Sequence, residues 1–597
     1  MIRTPLRPLA RILDARAKGE NPDAIERENI RIRHEQMRDK LRMRAESRLL
    51  VLALAFVVAY GAVGARMGLL AASEPAEPVT VASGASILAQ RSDIVDRRGR
   101  ILATNMDTYS LYAQPQHMIE PLRAAKELAR VFPDLDEETL AKQFTGGRKF
   151  VWIKKKISPE QYQAVHDIGS PGLLFGPREM RLYPNGALAS HILGGASFGR
   201  EGVHAAEVIG VAGVEKTFDD FLRDPANNGA PLELSIDLTV QAAVERVLYG
   251  GMKLLNAKGA AAVLMDVHTG EVLSLASLPD FDPNDRPRPP VAGDGQTQDD
   301  SPLFNRAVQG VYELGSTFKI FAVAQAMELG LVNPDTMIDT RGPLTWGKHR
   351  IRDFHNYGNE LSATTVIVKS SNIGTARIAQ MIGVDRQKDF LESLGLFQPT
   401  PLEMLEAKGG QPLLPPNWSE LSTMTISYGH GMSATPLHLA TGYAAIANGG
   451  RMIKPTLLKQ AAPQEGTRVM RPEVAARSRA MLRKVVTEGT ASFGEVPGYA
   501  VAGKTGTADK PKPRGGGYYK DKVIATFATM FPAYDPKYVL IVTLDEPVET
   551  SGSEPRRTAG WTAVPVAAEM ITRIAPLLGL RPEIEPGELA GITLTSN

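Results

Sequence analysis

The longest apolar stretch of the chain lies near its N-terminus. The run LLVLALAFVVAYGAVGARMGLLAA fills residues 49–72, and Arg66 is its only charged residue. The first seventeen of these residues are uninterrupted and would rise about 26 Å as a helix. That length is close to the thickness of the hydrocarbon core of a bilayer. We therefore predict a single transmembrane anchor at residues 49–72.

The residues before this run are polar and carry many basic side chains. The cluster RDKLRMRAESR directly precedes the anchor, which favours a cytoplasmic tail at residues 1–48 and the bulk of the chain on the other side of the membrane. The alternative is a cleaved signal peptide. A leader of 48 residues is too long for that, and the apolar run exceeds a usual signal-peptide core.

Two further changes of pattern follow the anchor. The segment at residues 73–86 is rich in Pro, Ala and Ser and is typical of a linker. Residues 87–231 mix short strand-like runs, such as SLYAQP and KFVWIKK, with polar helical segments such as EPLRAAKELARVF. We find no catalytic motif in this region and predict a separate, elongated, β-rich domain.

Residues 232–580 show an ordered series of patterns. The strand-like runs GAAAVLMDV and EVLSLASLP come first, and helical patterning then extends from residue 316 to about residue 488. Three strand-like runs follow, GYAVAGKTGTA, VIATFATMF and YVLIVTLDEP, before a closing helix, AVPVAAEMITRIAPLLGL. This order predicts an α+β fold in which helices flank a mainly antiparallel sheet. A polar tail fills residues 581–597.

Composition excludes several classes of site. The 597 residues are 43% hydrophobic and 22% charged, and the net charge is only +2, so nothing favours nucleic-acid binding overall. No cysteine is present, which excludes disulfides, thiolate metal ligands and cysteine nucleophiles. The ten histidines lack metal-ligand spacing, and we expect His430 and His438 to be structural.

One lysine interrupts an otherwise apolar helical pattern. In YELGSTFKIF, Lys319 follows Ser316 by three residues, a spacing that puts both side chains on one face of a helix. Gly315 would let another group approach closely, and the first N–H groups of the helix would suit an oxyanion. An apolar environment lowers the pKa of a lysine, and a neutral amine can activate a serine. The alternative is that Lys319 extends to solvent.

Two further short motifs are weak when taken alone. In VKSSNIGTA, Ser370 and Asn372 supply a hydroxyl and an amide, although Ser and Asn are also common helix caps. In VAGKTGTADK, a strand ends on Lys504, Thr505, Gly506 and Thr507. A lysine with two hydroxyls is suited to a carboxylate, although a glycine turn after a strand is common.

The three motifs together are specific. Ser-x-x-Lys, Ser-x-Asn and Lys-Thr-Gly occur here in the order found in penicillin-recognising serine enzymes. Residues 232–580 therefore resemble the penicillin-binding transpeptidase family. The segments DIVDRRGRILATN, RLYPNGALASHILGG and GVAGVEKTFDDFL resemble the non-catalytic pedestal, or dimerisation-type domain, of class B penicillin-binding proteins. The basic tail, the single anchor and KFVWIKKKISPEQYQAV are most similar to the division-specific, septal members.

The resemblance implies a role for each candidate residue. The chain would be a peptidoglycan D,D-transpeptidase with Ser316 as nucleophile and Lys319 as base. Ser370 would relay a proton, Asn372 would hold the stem peptide and orient Lys319, and backbone N–H groups would form the oxyanion hole. Lys504, Thr505 and Thr507 would bind the terminal carboxylate, and Gly506 would let the substrate lie against the strand.

The resemblance also implies partners and a location. The chain would act on peptidoglycan stem peptides, react with β-lactams, and work with a membrane-embedded glycosyltransferase and other division proteins. No metal or organic cofactor is implied. The protein would be a single-pass protein of the inner membrane, with its N-terminus in the cytoplasm and its catalytic domain in the periplasm.

Other functions fit parts of the same pattern. They are an elongation-specific transpeptidase, a D,D-carboxypeptidase or β-lactamase, and a non-catalytic division scaffold. We find no Glu-x-x-Leu-Asn segment of the kind that class A β-lactamases use for deacylation.

Several positions carry separate expectations. The family usually has proline where Leu314 stands and often glutamine where His438 stands. Residues 509–522 would form either a mobile flap beside the site or a solvated hairpin loop. In the pedestal we expect Arg178 and Arg181 to form buried salt bridges.

Overall fold

The fold is known from a computed structural model that describes residues 7–72, 91–201, 206–289, 298–512 and 516–583. The predicted linker at 73–86 and the tail beyond residue 583 lie outside these residues. The chain divides into two compact units. The first comprises Met1–Thr80, Leu111–Ile153 and Gln163–Leu174, and the second comprises Val81–Ser110, Lys154–Tyr162 and Phe175–Asn597.

The N-terminal region consists of two helices, α1 (Arg7–Ala17) and α2 (Pro22–Ala72). The predicted anchor forms the C-terminal part of α2, which is 51 residues long and is long and apolar enough to cross a membrane. Its large apolar side chains between residues 49 and 63 are more than half exposed, as expected for a surface that faces lipid. Residues 7–17 and 22–48 of the tail, which was predicted only as polar, are helical as well.

The described residues between 91 and 231 form six strands and six α-helices, in keeping with the predicted mixture of short elements. The strands are β1 (Ile94–Val95), β2 (Ile101–Ala113), β3 (Val151–Ile157), β4 (Leu173–Leu182), β5 (Gly195–Glu201) and β6 (Ala206–Ala212). The helices are α3 (Pro121–Val131), α4 (Glu137–Thr145), α5 (Pro159–His166), α6 (Ser190–Leu193), α7 (Gly213–Thr217) and α8 (Asp219–Arg223). β2 pairs with β1, β3 and β4, and β5 pairs with β6.

A buried carboxylate organises part of this region. Glu215, which is fully buried, accepts hydrogen bonds from Arg91 Nε at 2.7 Å and from Arg181 Nε at 2.6 Å. The salt bridge predicted for Arg181 is thereby confirmed. Arg178 is buried with its guanidinium 5.2 Å from the centre of the Phe198 ring. Removal of one partner of the buried Glu215–arginine pairs would leave an uncompensated charge, which costs about 3–5 kcal/mol of folding stability.

The strands of the remaining region form one large sheet and several short pairs. They are β7 (Leu232–Glu233), β8 (Gly259–Asp266), β9 (Val272–Leu278), β10 (Met337–Asp339), β11 (Leu344–Trp346), β12 (His349–Ile351), β13 (Glu360–Ser362), β14 (Arg451–Met452), β15 (Thr467–Arg468), β16 (Ala502–Pro511), β17 (Tyr518–Phe531) and β18 (Tyr538–Asp545). β7 pairs with β1. The large sheet has the order β16-β17-β18-β8-β9, and every pair in it is antiparallel. This confirms the predicted sheet.

Nine helices accompany these strands within the described residues. They are α9 (Leu238–Leu254), α10 (Lys319–Glu328), α11 (Ala363–Lys369), α12 (Asn372–Ile382), α13 (Val384–Ser393), α14 (Glu420–Ser427), α15 (Pro436–Ala447), α16 (Pro472–Glu488) and α17 (Ala563–Leu577). The helical pattern between β9 and β16 is therefore correct, although short strand pairs interrupt it. Helix α9 was not predicted; Asp237 caps it by accepting hydrogen bonds from the N–H groups of Thr239 and Val240.

The core lies around the large sheet. Consecutive residues of β8, β17 and β18 are buried, so the sheet is covered on both faces. Helices α9 and α17 pack against each other and against the sheet, and helices α15 and α16 do the same. Helix α10 is buried on all sides through Met327, as its apolar pattern predicted.

His438 has the structural role that was expected. It is the third residue of α15, where its Nδ1 accepts a hydrogen bond from the Thr435 backbone N–H while the Thr435 hydroxyl accepts one from the His438 N–H. This reciprocal arrangement is a capping box, in which glutamine is a usual third residue. The family's glutamine is thus replaced by a side chain with an equivalent function. Burial lowers the pKa of His438 to about 4, so the ring is neutral and its Nδ1 is free to accept.

Substitution at His438 tests this equivalence. His438→Gln should keep the capping box, whereas His438→Ala should lose it and should destabilise the fold by about 1–3 kcal/mol. Thermal unfolding of the full chain in detergent, followed by circular dichroism, measures both. An equal loss of unfolding free energy in the two variants would show that glutamine does not replace histidine at this position.

Candidate active site

The candidate nucleophile lies in a tight turn that leads into a buried helix. Gly315–Phe318 form a 3₁₀ turn, and α10 begins at Lys319. Ser316 is therefore at the start of the helical segment, as predicted, but in its 3₁₀ portion. Gly315 has a φ of +55°, a conformation that favours glycine, and its N–H donates to the carbonyl of Gly429 at 3.2 Å. Ser316 itself is half-buried.

Strand β16 lies directly against this turn. A Cβ atom on Gly506 would be 2.2 Å from the carbonyl oxygen of Leu314, and one on Gly315 would be 3.0 Å from the carbonyl oxygen of Thr507. Neither position leaves room for a side chain. The two glycines thus permit the Lys-Thr-Gly strand and the serine turn to meet backbone to backbone.

Leu314, which stands where the family usually has proline, has a structural role. Its side chain is buried in the core, and its carbonyl accepts a hydrogen bond from the Thr317 hydroxyl at 2.8 Å. Its φ is −93°, outside the range of about −65 ± 15° to which proline is limited. A proline here would therefore require the turn to shift.

Ser370 joins the two lysines of the separate motifs. Its Oγ lies 3.0 Å from Lys319 Nζ and 3.0 Å from Lys504 Nζ. Lys319 Nζ also donates to the backbone carbonyl of Ser370 at 2.5 Å. Ser370 ends α11 in the left-handed conformation, with φ +61°, which costs a non-glycine residue roughly 1–2 kcal/mol. Such strain is found where the surroundings hold a residue in a functional position.

Both lysines are completely buried, and this sets their charge. Burial lowers the pKa of Lys319 well below its ordinary value; the neighbouring charge of Lys504 lowers it too, and the carboxylate of Asp353 opposes the shift. Burial lowers the pKa of Lys504 to about 7. A neutral amine at Lys319 can accept a proton, and a hydroxyl placed between two amines can pass one on.

Asp353 supports the Ser-Ser-Asn segment from behind. Its carboxylate accepts hydrogen bonds from the Ser371 hydroxyl at 2.6 Å and from the Ile373 N–H at 2.9 Å. Ser371 also caps α12, so the helix-cap alternative holds for Ser371 and not for its neighbours. Sequence analysis missed Asp353, since no local pattern links it to residues 18 positions away.

Asn372 is held by a backbone contact. Its amide donates to the backbone carbonyl of Arg352 at 3.0 Å. Among the described residues no hydrogen bond joins Asn372 to Lys319, so the structure does not support the predicted orienting contact. The partner that takes this place is Ser370.

The hydroxyls of the Lys-Thr-Gly strand are held in place by two segments. Thr505 Oγ1 lies 2.6 Å from Thr490 Oγ1, and Thr507 Oγ1 accepts a hydrogen bond from the Ala559 N–H at 2.9 Å. Thr490 belongs to the family-like run VVTEGTA, to which sequence analysis gave no role.

Beyond Thr507 the strand continues into a hairpin. β16 runs to Pro511, which pairs with Tyr518 at the start of β17. Residues 509–522 therefore include a hairpin in their described part, and residues 513–515 lie outside it. The choice between a mobile flap and a solvated loop stays a prediction. The Tyr518 hydroxyl donates to Glu313 Oε1 at 3.0 Å, and the Gly431 N–H donates to the same oxygen at 2.8 Å. Glu313, three residues before Ser316, was also missed by the sequence analysis.

Comparison with known families gives the class of this protein. Residues 260–568 match the family described as the penicillin binding protein transpeptidase domain, and residues 86–227 match the penicillin-binding protein dimerisation domain. These two domains, combined with the antiparallel sheet and the three motifs at one site, define a penicillin-binding transpeptidase.

Similar curated proteins narrow the class. The chain is 35% identical to a probable peptidoglycan D,D-transpeptidase FtsI of Caulobacter vibrioides over 83% of this chain and 82% of that protein. It is 31% identical to a probable D,D-transpeptidase PenA of Neisseria meningitidis over 77% and 80%, and 29% identical to FtsI of Escherichia coli K12 over 76% and 79%. The chain therefore belongs to the class B penicillin-binding proteins, and within them to the septal FtsI type. The family resemblance inferred from the motifs is confirmed.

The contact between β16 and the serine turn gives a first prediction for the site. Gly506→Ala should lower the rate of reaction with a fluorescent penicillin by at least about 100-fold, because the added Cβ would push the strand away from Leu314. Gly250→Ala is the matched control, since a Cβ at that position in α9 meets nothing within 4 Å. A Gly506→Ala protein that reacts at the rate of the control would show that the contact does not matter.

The buried lysines predict the pH dependence of this reaction. With the neutral amine of Lys319 as the base, the rate should fall as the pH drops through the lowered pKa of this lysine and should reach its plateau well below the ordinary lysine value. The second-order rate constant is measured from about pH 5 to pH 10. A rate that kept rising tenfold per unit up to the ordinary lysine value of about 10.4 would contradict this.

Proposed function

We propose that this septal transpeptidase forms its acyl-enzyme on Ser316, with Lys319 as the base and Ser370 as the proton relay, and that Lys504 helps to bind the carboxylate of the donor. The observation that supports this most is the position of the Ser370 hydroxyl, 3.0 Å from each lysine amine. This hydroxyl thus joins side chains from all three motifs, although Ser370 and Lys504 are 134 positions apart in the chain. The Lys-Thr-Gly strand also lies against the turn that holds Ser316.

Acylation begins with the neutral amine of Lys319. It takes the proton of the Ser316 hydroxyl, and the oxygen attacks the carbonyl carbon of the penultimate D-Ala of a donor stem peptide. The backbone N–H groups of Ser316 and Thr507 stabilise the oxyanion. Ser370 passes a proton to the nitrogen of the terminal D-Ala as the peptide bond breaks, and free D-Ala leaves.

Binding of the donor fixes the geometry of this attack. Lys504, Thr505 and Thr507 bind the terminal carboxylate, and Gly506 allows the peptide to lie against β16. Asn372 binds the backbone of the stem peptide with its amide. The hydroxyl contacts of Thr490 and the Ala559 N–H orient the two threonines for this task.

The acyl group then passes to an amine of a second stem peptide. The amine attacks the ester carbonyl, its proton returns through Lys319 and Ser370, and the Ser316 oxygen is released as a hydroxyl. The product is a peptide cross-link. A β-lactam enters the same sequence when its ring opens on Ser316, and it stops there because the leaving group stays attached.

We also propose the arrangement in the cell. Residues 1–48 are cytoplasmic, residues 49–72 cross the inner membrane and residues 73–86 form a linker. The pedestal at 87–231 and the transpeptidase domain at 232–580 lie in the periplasm, with a tail at 581–597. The basic cluster before the anchor supports this orientation. A membrane-embedded glycosyltransferase and other division proteins are the proposed partners.

The nucleophile is tested by covalent labelling. Ser316→Ala should abolish labelling by a fluorescent penicillin. Mass spectrometry of the labelled wild-type chain should place the adduct on the peptide that contains Ser316. Ser553→Ala, which removes an exposed hydroxyl in another loop, is the control and should label normally.

Two results would contradict the proposal. A Ser316→Ala protein that still labels would exclude Ser316 as the nucleophile. Rapid release of the hydrolysed penicillin from the unmodified chain, in place of a long-lived adduct, would instead indicate a β-lactamase or carboxypeptidase.

A further inference from the structure

A hairpin next to the Ser-Ser-Asn segment carries an excess of positive charge. Between residues 341 and 352 the chain has four basic residues and no acidic one. Strands β11 and β12 pair antiparallel within this stretch, and the turn Gly347–Lys348 joins them. Runs of charge are commonly no more than a solvated surface, so the orientation and the neighbours of these residues decide whether they have a function.

The hairpin has a buried face and an exposed face. Leu344 and Ile351 lie opposite each other in register, and both are buried in a small apolar cluster with residues of α12 and α14. Successive side chains of a strand point to opposite sides. Arg350 and Arg352, which flank Ile351, therefore lie on the other face, roughly 7 Å apart along the chain, and both are exposed. We call these two arginines the basic face.

The acidic residues of the adjoining strands are engaged elsewhere. Asp339 in β10 pairs with Arg341 at 2.9 Å, and Glu360, opposite Asp339 in β13, acts on the same arginine. Within the described part of the chain, neither Arg350 nor Arg352 forms an ion pair. The basic face thus keeps its charge available for a ligand.

The basic face begins at the edge of the catalytic segment. The backbone carbonyl of Arg352 accepts a hydrogen bond from the Asn372 amide at 3.0 Å. The carboxylate of the next residue, Asp353, accepts one from the Ser371 hydroxyl at 2.6 Å. Ser371 directly follows Ser370, the proposed proton relay. The backbone of the hairpin is therefore one hydrogen bond away from the Ser-Ser-Asn motif.

The two substrates of a transpeptidase need different places in this site. The donor lies along β16 and stays attached to Ser316 after the first step. The acceptor amine takes the place of the departing D-Ala and gives up its proton beside the Ser370 hydroxyl. The space next to the Ser-Ser-Asn segment, where the hairpin lies, is thus left for the acceptor.

We propose that Arg350 and Arg352 bind a free carboxylate of the acceptor stem peptide, which is therefore an anionic peptide. The planar fork of arginine matches a carboxylate with two parallel hydrogen bonds. Exposed positive charges also attract an anionic ligand from a distance and raise its local concentration. The inference rests on the function proposed above and specifies the charge of the second substrate.

A pair of acceptors that differ in one charge tests the proposal. The full chain in detergent is acylated by a synthetic thioester donor whose acyl group ends in D-Ala. Either acetyl-D-Glu-Lys amide or acetyl-D-Gln-Lys amide is then supplied, each with a single amine. Mass spectrometry gives the ratio of transfer to hydrolysis for each acceptor. Because every acyl-enzyme ends in one product or the other, this ratio does not depend on the rate of acylation.

The wild type should favour the glutamate acceptor over the glutamine acceptor by about 3- to 10-fold, the range expected for exposed ion pairs. Arg350→Gln combined with Arg352→Gln should remove this preference, whereas lysine at both positions should retain part of it. Raising the salt concentration from about 0.05 M to about 0.5 M should weaken the preference of the wild type, because exposed charges are screened.

A second hairpin offers a matched control. Arg451 and Arg468 lie opposite each other in β14 and β15 and are exposed. Arg451→Gln combined with Arg468→Gln removes the same charge from the protein and should leave the preference between the two acceptors unchanged. Circular dichroism checks that each variant is folded.

The outcomes separate this inference from the proposed function. A wild type that is acylated but does not favour the glutamate acceptor would overturn the role of the basic face, while Ser316 remains the nucleophile. A preference that persists without Arg350 and Arg352, or that falls equally in the control, would overturn it as well. A wild type that the thioester does not acylate would contradict the proposed function itself.

Discussion

The site depends on the burial of two lysine amines around one hydroxyl. Lys319 and Lys504 are both inaccessible to solvent, and the Ser370 oxygen lies 3.0 Å from each. A charged amine is strongly disfavoured in such a place, and two of them repel each other. The fold can keep both only if at least one lacks its proton, and a lysine without its proton is a base. The packing of α10, which is buried on all sides, is thus a direct cause of the chemistry.

Close approach of backbones brings these groups together. Ser316 lies on a 3₁₀ turn and Lys504 on a strand that is far from it in the chain, and glycines occupy the contacts between this turn and this strand. Gly506 faces the carbonyl of Leu314, and a Cβ on Gly429 would be 1.9 Å from the carbonyl of Gly315. The conformational entropy that each glycine loses on folding is offset by the packing it allows. The left-handed Ser370 is held from both sides by the amines of Lys319 and Lys504.

Local patterns predicted much of the fold and the identity of the motif residues. β8, β9, β18 and α17 follow apolar runs of the right length and were predicted close to their observed bounds. Helix α9 was missed although Asp237 caps it, because two glycines and a tyrosine weaken the pattern near its end. The contacts that complete the site could not be predicted. Asp353 with Ser371, Thr490 with Thr505 and Ala559 with Thr507 join positions 15 to 52 residues apart, and periodicity carries no information about such pairs. For the same reason the contact of Asn372 with the Arg352 carbonyl was not predicted.

The central claim is that burial keeps the Lys319 amine neutral, and its titration can be measured directly. Lysine labelled with ¹³C and ¹⁵N at the side-chain end reports the charge of each amine by NMR, and a Lys319→Arg variant assigns the signal. The account predicts that the Lys319 amine takes up its proton well below the ordinary lysine value of about 10.4. A Lys319 signal that titrates near that ordinary value would contradict the account.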